Sequence, residues 1–231
     1  MRLELDVGNT RIKWRLVDHR GVFEQGVDLK LALDAGPKWL SLVEQVWVSS
    51  VHSEQNLWLS ELFDGVQFAD SRSSFKGLVN SYREPSRMGV DRWLVMVAAW
   101  ADEPNRSHLI VDAGTAVTMD VIGSEGVHLG GYICPGLQLM KSSLLSNTSR
   151  VKAANTWLSD RAYGQQTQEC VDHGILDMVL CWIERHHLKN PEAKIWLTGG
   201  DGERLASLVE APVVYAPDLV LDGLSAYFLE N

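Results

Sequence analysis

The pattern of apolar and polar positions divides the chain into short blocks. Leu3–Val7 and Ile12–Val17 read as two strands around a Gly8-Asn9-Thr10 turn. Lys38–Glu44 carries a helical tendency, Val46–Ser50 reads as a short buried strand, and Glu54–Phe63 reads as a helix. Val90–Trp100 is strongly apolar and predicts a buried helix, broken at Pro104-Asn105. A second strand pair begins at Leu109. Further along, Ile195–Leu197 reads as a strand, Glu203–Val209 as a helix, and the stretch from about Asp218 to Leu229 as a closing helix. Strands and helices mixed in this way predict an α/β fold.

One residue interrupts the first strand. Asp6 stands in an otherwise apolar run, and a charged side chain is costly to bury unless something pairs with it. The same arrangement recurs about half the chain later. Leu3-Glu-Leu-Asp6-Val-Gly8-Asn9-Thr10 matches Leu109-Ile-Val-Asp112-Ala-Gly114-Thr115-Ala116 in its order of apolar strand, aspartate, small residue, glycine and side-chain hydroxyl or amide. A lone Asp-x-Gly is only a hairpin signal. Two copies at this spacing suggest duplicated domains, each pointing the backbone N–H groups of a turn at one anionic ligand. Asp6 then belongs at a ligand cleft, where a carboxylate suits a hard cation held directly or through water.

Composition narrows the partners. The chain has 231 residues, 45% of them hydrophobic, enough for one large domain or two smaller ones with a real core. The net charge is −9 and no Lys/Arg cluster stands out, which argues against a nucleic-acid partner. A bound polyphosphate would therefore be held by local dipoles and a metal. Cys134, Cys170 and Cys181 form no CxxC pair, so a reducing cytoplasm is expected. Arg2, Glu4 and Asp6 interrupt the opening apolar residues, so these do not read as a secretory leader. No apolar run reaches the ~18 residues of a membrane span. There is no GxxxxGK[ST] loop and no GxGxxG fingerprint.

Five motifs together carry a family resemblance: DVGNTRIK (Asp6–Lys13), GVDRW (Gly89–Trp93), DAGTAVTMD (Asp112–Asp120), HLGGYICPG (His128–Gly136) and LTGGD (Leu197–Asp201). In this order and spacing they resemble type III pantothenate kinase, of the acetate and sugar kinase, Hsp70 and actin superfamily, and Pro217–Gly223 resembles the family's closing segment. The resemblance implies two ribonuclease H-like, actin-like ATPase domains with ATP in the cleft between them. The expected spans are residues 1–104 and 105–217, with 218–231 a candidate to pack on the first. It also implies phosphorylation of the primary hydroxyl of pantothenate, the first step toward coenzyme A, by a cytoplasmic homodimer. The cofactors it implies are Mg²⁺ with ATP and a monovalent cation, K⁺ or NH₄⁺.

By the same resemblance, ATP is bound by Asp6, Val7, Gly8, Asn9, Thr10, Arg11, Ile12 and Lys13, with Thr115 as a second phosphate contact. Asp112 matches the monovalent-cation aspartate, and Asp6 is the candidate Mg²⁺ residue. Tyr82, Gly89, Val90, Asp91, Arg92 and Thr167 match the pantothenate site, with Asp91 the proposed base.

The residue chemistry leaves several of these roles open. Asp91 stands just before the helical pattern Trp93–Trp100, where a carboxylate is also a common helix cap. Arg92 has the planar fork that grips a carboxylate, yet it could equally pair with a nearby acid. Lys13 is either a phosphate contact or an exposed strand lysine. Asp120 shares a face with Asp112 only if the intervening turn preserves register. Gly130 and Gly131 serve either packing or a ligand, and Gly199-Gly200-Asp201 either admits adenosine or is a plain strand-to-helix turn. His186 and His187, adjacent on a helix, read as surface residues. The nine tryptophans suit core or dimer contacts better than base stacking. Two rival readings remain: a kinase for another small hydroxylated substrate, and an ATP-binding regulatory protein on the same fold.

Overall fold

The computed structural model describes residues 1–148, 153–154 and 156–229. In chain order the elements begin with strands β1 (Arg2–Val7), β2 (Ile12–Asp18) and β3 (Gly21–Gly26), then helix α1 (Leu29–Asp34) and a 3-10 turn, Lys38–Leu42. They continue with β4 (Gln45–Ser50), α2 (Ser53–Leu62), β5 (Val66–Phe68), β6 (Ser74–Phe75), β7 (Leu78–Val79), a second 3-10 turn, Pro85–Arg87, and α3 (Val90–Asp102). Next come β8 (His108–Ala113), β9 (Ala116–Ile122), β10 (His128–Pro135), α4 (Leu137–Ser146) and α5 (Thr167–Lys189). The last are β11 (Lys194–Thr198), α6 (Gly202–Ala206), β12 (Val213–Tyr215) and α7 (Leu219–Leu229).

The chain divides into two units, Met1–Pro104 with Asp218–Asn231, and Asn105–Pro217. Each is built on a five-stranded sheet. The strand orders are β3-β2-β1-β4-β5 and β10-β9-β8-β11-β12. In both, the first three strands in sequence run antiparallel and the last two join parallel. The internal echo of the sequence is thus a repeat of topology. Asp6 and Asp112 occupy the same place, next to last on the central strand of each sheet.

Alternation on β1 sorts its side chains by chemistry. Leu3, Leu5 and Val7 join Ile12, Trp14, Leu16, Val46 and Val48 in the first unit's core. Arg2, Glu4 and Asp6 face the other way, with Arg15 opposite Glu4 and Lys13 opposite Asp6. That charged face is where α7 packs. Lys13 Nζ meets Asp218 at 2.7 Å and Arg15 Nη1 meets Asp222 at 2.6 Å. Residues two apart on a strand and four apart on a helix both repeat at about 6–7 Å, so the two pairs stack in step. Below them Glu4, fully buried, accepts from Arg15 Nε and Arg2 Nε at 2.8 Å and from Ser225 Oγ at 2.5 Å. Gly223 brings α7 against α3 so closely that a Cβ there would lie 2.0 Å from the Leu94 carbonyl oxygen.

In the second unit, Leu109, Val111 and Ala113 of β8 pack with Val117, Met119, Ile195 and Leu197 against Leu176, Leu180 and Ile183 of α5. Six of the nine tryptophans are buried: Trp14, Trp39, Trp47, Trp93, Trp100 and Trp196. No helix among the described residues is long and apolar enough to cross a membrane.

Several local expectations shift. The helical tendency at Lys38–Glu44 yields only the 3-10 turn, with Trp39 as its single buried residue. The helix expected over Glu203–Val209 is the shorter α6. β3 was not expected because its residues are almost all exposed and carry no alternation; its sole local signal is Gly21 at φ +119°. His186 and His187 are half-buried rather than surface residues. The His186 ring packs against Trp182, one turn back on the same helix, at 5.9 Å, and against Tyr132 of β10 at 5.3 Å, the latter a contact made by tertiary packing.

Two outcomes follow from α7. Arg15→Met leaves buried Glu4 with Arg2 and the Ser225 hydroxyl but without its Arg15 partner, and is expected to cost about 3–5 kcal/mol of unfolding free energy in urea titration, with the double variant Glu4→Leu/Arg15→Met recovering much of it. Tyr227, buried and donating its hydroxyl to Asp70, has its pKa pushed up to about 12, first by burial and then by that hydrogen bond. A raised pKa means the fold favours the neutral phenol. Its contribution is full below pH 10 and is lost as pH rises toward 12. Absorbance titration should therefore find a tyrosine ionising well above its ordinary range, absent in Tyr227→Phe.

Candidate functional site

The first unit presents a hairpin and a wall of packed side chains at the start of a helix. In the hairpin, β1 and β2 pair up to Val7 and Ile12, and the residues between form a turn closed by Gly8 N–H donating to the Arg11 carbonyl at 3.1 Å. Gly8, Asn9, Thr10 and Arg11 are exposed, and Asp6 stands half-buried at the base beside Ser49 of the parallel strand β4. Lys13 lies across from Asp6, but its ammonium is committed to Asp218. It is therefore neither the exposed lysine of one reading nor a charge wholly available to a phosphate.

The wall is made by the start of α3 and the loop before it. Gly89 is the N-cap, with Val90 and Asp91 in the first turn. Asp91 is thus inside the helix that the apolar run Val90–Trp100 predicts, and not ahead of it at a cap position. Its Oδ1 accepts from Arg92 N–H at 2.8 Å, and a Cβ on Gly89 would sit 2.5 Å from that same oxygen. Glycine leaves the carboxylate its place. Arg92, buried, donates from Nη1 to the Tyr82 hydroxyl at 2.6 Å, with its guanidinium 5.4 Å from the Tyr82 ring centre. Tyr82, Gly89, Asp91 and Arg92 are therefore brought together.

The second unit carries the matching hairpin. Its turn is one residue shorter: Ala113 pairs with Val117, and Gly114 N–H donates to the Ala116 carbonyl at 2.9 Å. Asp112 stands beside Thr198 of β11 as Asp6 stands beside Ser49. Two glycines close on this turn. A Cβ on Gly136 would lie 2.1 Å from the Gly114 carbonyl oxygen, and one on Gly199, at φ +84°, 2.4 Å from Asp112 Oδ1. Gly199-Gly200-Asp201 therefore does more than turn the chain; it lays backbone against the hairpin, with Asp201 N–H donating to the Ala113 carbonyl at 2.9 Å. Pairing Asp112 with Thr118 and Ile110 with Asp120 preserves register, so Asp120 does share the face of Asp112. It is buried, 3.0 Å from His128 Nε2.

Thr167 opens α5 in the second unit. With Gly164, Gly174, Leu144, Val171 and Met178 it lines an open groove of about 660 Å³. Glu169 caps the helix by accepting from Gln165 N–H at 2.8 Å, and these bonds hold its carboxyl below the ordinary range. A fully buried ion pair escaped the sequence reading: Lys141 Nζ meets Asp172 at 2.6 Å and donates to the Thr156 carbonyl at 3.0 Å, while Asp172 accepts from Leu158 N–H at 3.1 Å. It ties α4 and α5 to the chain between them. Nothing local marks Lys141 or Asp172 as buried; each sits on a helix where a solvated charge would be ordinary.

The donor chemistry fits the implied cations. Asp6 and Asp112 are single carboxylates at strand ends, each with a hydroxyl residue alongside, which suits a hard cation that keeps water and phosphate oxygens as further ligands. Among the described residues no group of three or more His, Cys, Asp or Glu could hold a metal by itself. Around Asp112 the carbonyls of Ala113, Gly114 and Thr115 crowd Gly199 and Gly136, adding the neutral oxygens a monovalent cation accepts.

Comparison with known proteins adds the family. The family model described as type III pantothenate kinase matches residues 2–188. The type III pantothenate kinase of Marinobacter nauticus is 40% identical over 238 residues, covering 97% of this chain and 96% of that protein. Among solved structures, a Campylobacter jejuni protein assigned to the Baf family of transcriptional activators superposes with a TM-score of 0.65 at 21% identity, covering 99% and 98% of the two chains. A Sinorhizobium meliloti protein assigned as a 2-dehydro-3-deoxygalactonokinase gives 0.57 at 13% identity, covering 98% of each. The structural likenesses show that this chain shares its fold with these two proteins. With the family model and a full-length relative both in agreement, the chain belongs to the type III pantothenate kinase family.

Proposed function

We propose that this protein transfers the γ-phosphoryl group of ATP to the primary hydroxyl of pantothenate, giving 4'-phosphopantothenate and ADP and opening the route to coenzyme A. The observation that carries this reading is the family match across residues 2–188, which contains both hairpins and the α3 wall. The pantothenate hydroxyl oxygen forms a bond to the γ-phosphorus as the bond to the β,γ-bridging oxygen breaks, and the hydroxyl proton passes to a carboxylate. Such transfers need position and charge compensation more than covalent help.

In this reading the Asp6–Lys13 hairpin and Thr115 offer N–H and hydroxyl donors to the phosphates. Asp91 holds the hydroxyl and takes its proton. Arg92 grips the pantothenate carboxylate, its fork pre-oriented by Tyr82, and Thr167 bonds the polar backbone of the substrate. Gly89 and Val90 shape the approach. Asp6 and Asp112 are assigned to Mg²⁺ and to K⁺ or NH₄⁺, which when bound neutralise phosphate charge.

A cytoplasmic homodimer belongs to the same reading. The dimer is supported by exposed apolar residues on β10, α4 and α5, among them Leu129, Ile133, Leu139 and Met178.

The decisive assay is ADP release from Mg-ATP, with and without pantothenate, in K⁺ and then in Na⁺. Pantothenate-dependent turnover that requires K⁺ is the expected result. Turnover indifferent to the cation would remove Asp112's assignment and keep the kinase, whereas ATP binding without turnover would favour a regulatory role. Asp91→Asn should lower kcat roughly 10²–10⁴-fold while leaving ATP binding nearly unchanged; a near-normal kcat would exclude it as base or orienter.

A further inference from the structure

The chain between β5 and α3 carries Tyr82 and delivers Gly89–Arg92, yet it contains only the two-residue strands β6 and β7 and the 3-10 turn Pro85–Arg87. Ordering so long a segment costs conformational entropy at every residue. Phe75, Leu78 and Met88 anchor it by burial. Burial is not directional, however, and a hydrogen bond between a phenol and a guanidinium needs direction.

Direction comes from one buried amide. Asn80 Oδ1 accepts from Tyr82 N–H at 3.0 Å. Its Nδ2 donates to the Arg72 carbonyl at 3.1 Å and lies 3.6 Å from Met88 Sδ. Its own N–H donates to the Ser73 carbonyl at 2.9 Å. A single side chain thus touches the beginning of the loop, the residue that bears the phenol, and the residue just before Gly89. Ser71 spans the same gap, its Oγ donating to the Met88 carbonyl at 3.0 Å. Both ends of the Tyr82–Arg92 hydrogen bond are tied through this point: Tyr82 directly, and Arg92 through the helix that follows Met88.

We propose that Asn80 is a positioning residue for the acceptor site, holding Tyr82 and the start of α3 in the one relation that lets Arg92 present its guanidinium to a carboxylate-bearing acceptor. This rests on the reading of Tyr82 and Arg92 as pantothenate contacts. An amide is required because the same group must accept from one N–H and donate to one carbonyl. Aspartate keeps the acceptor toward Tyr82 but turns a second oxygen on the Arg72 carbonyl. Leucine supplies neither.

The test compares steady-state kinetics of Asn80→Asp, Tyr82→Phe and Ser71→Ala. Loss of the buried Nδ2 donor, which leaves the Arg72 carbonyl facing a carboxylate oxygen, should raise KM for pantothenate about tenfold in Asn80→Asp, with KM for ATP and kcat changed less than about threefold. A purely structural role would lower the active fraction, and so apparent kcat, without moving KM. Ser71→Ala, milder and buried at the same junction, should shift the same KM by about threefold and carries the test if Asn80→Asp does not fold. A normal pantothenate KM in Asn80→Asp, or in Ser71→Ala where the former is unfolded, alongside a raised KM in Tyr82→Phe overturns the positioning role and keeps the acceptor site. Normal pantothenate KM values in all three overturn both.

Discussion

The ion pair between Glu4 and Arg15 is the constraint on which the first unit is organised. A carboxylate with no exposed surface on the first strand must be matched, and β2 matches it by register. Lys13 and Arg15 then find further partners in Asp218, just before α7, and Asp222 in its first turn, which repeat at the spacing the strand requires. The end of the chain is thereby fastened to its beginning. α7 in turn lies against α3 at Gly223, and α3 carries Asp91 and Arg92. Asp91 and Arg92 thus inherit their support from a charge placed on β1.

The two sheets show what a repeated frame can preserve and what it lets vary. Strand order, the place of the aspartate and a hydroxyl residue on the neighbouring parallel strand recur in both. The turns themselves differ in length, and only the second is closed in by glycines from two sides. The first hairpin is open and exposed, suited to offering N–H groups. The second is crowded with carbonyls, suited to a cation. One topology thus carries two kinds of electrostatics.

Family membership and geometry contribute different things to the functional reading. Membership supplies the reaction, since neither a hairpin nor a buried arginine names a substrate. Geometry supplies the local arrangement within the first unit: Asp91 carries a carboxylate that glycine leaves room for, Arg92 is bonded to Tyr82, and Lys13 is largely occupied by Asp218. The last point separates Lys13 from the rest of the Asp6–Lys13 motif in a way the motif does not.

Local pattern along the chain is enough for the strands around Asp6 and Asp112, the buried helix that begins at Val90, the repeat, and the motifs that lead to the family. These are local signals: alternation, an apolar run, a glycine turn, a short string of residues that side-chain chemistry keeps together. Tertiary structure alone decided that Lys13 faces Asp218, that His186 packs on Tyr132, that Lys141 and Asp172 are buried, and that Asn80 touches Tyr82, Arg72 and Met88. It also decided β3, whose exposed residues follow no pattern and which forms because β2 offers an edge. The reason is the same in each case. A charge, an amide or a ring looks alike in water and in a core, and its partner lies at a distance along the chain that only folding closes.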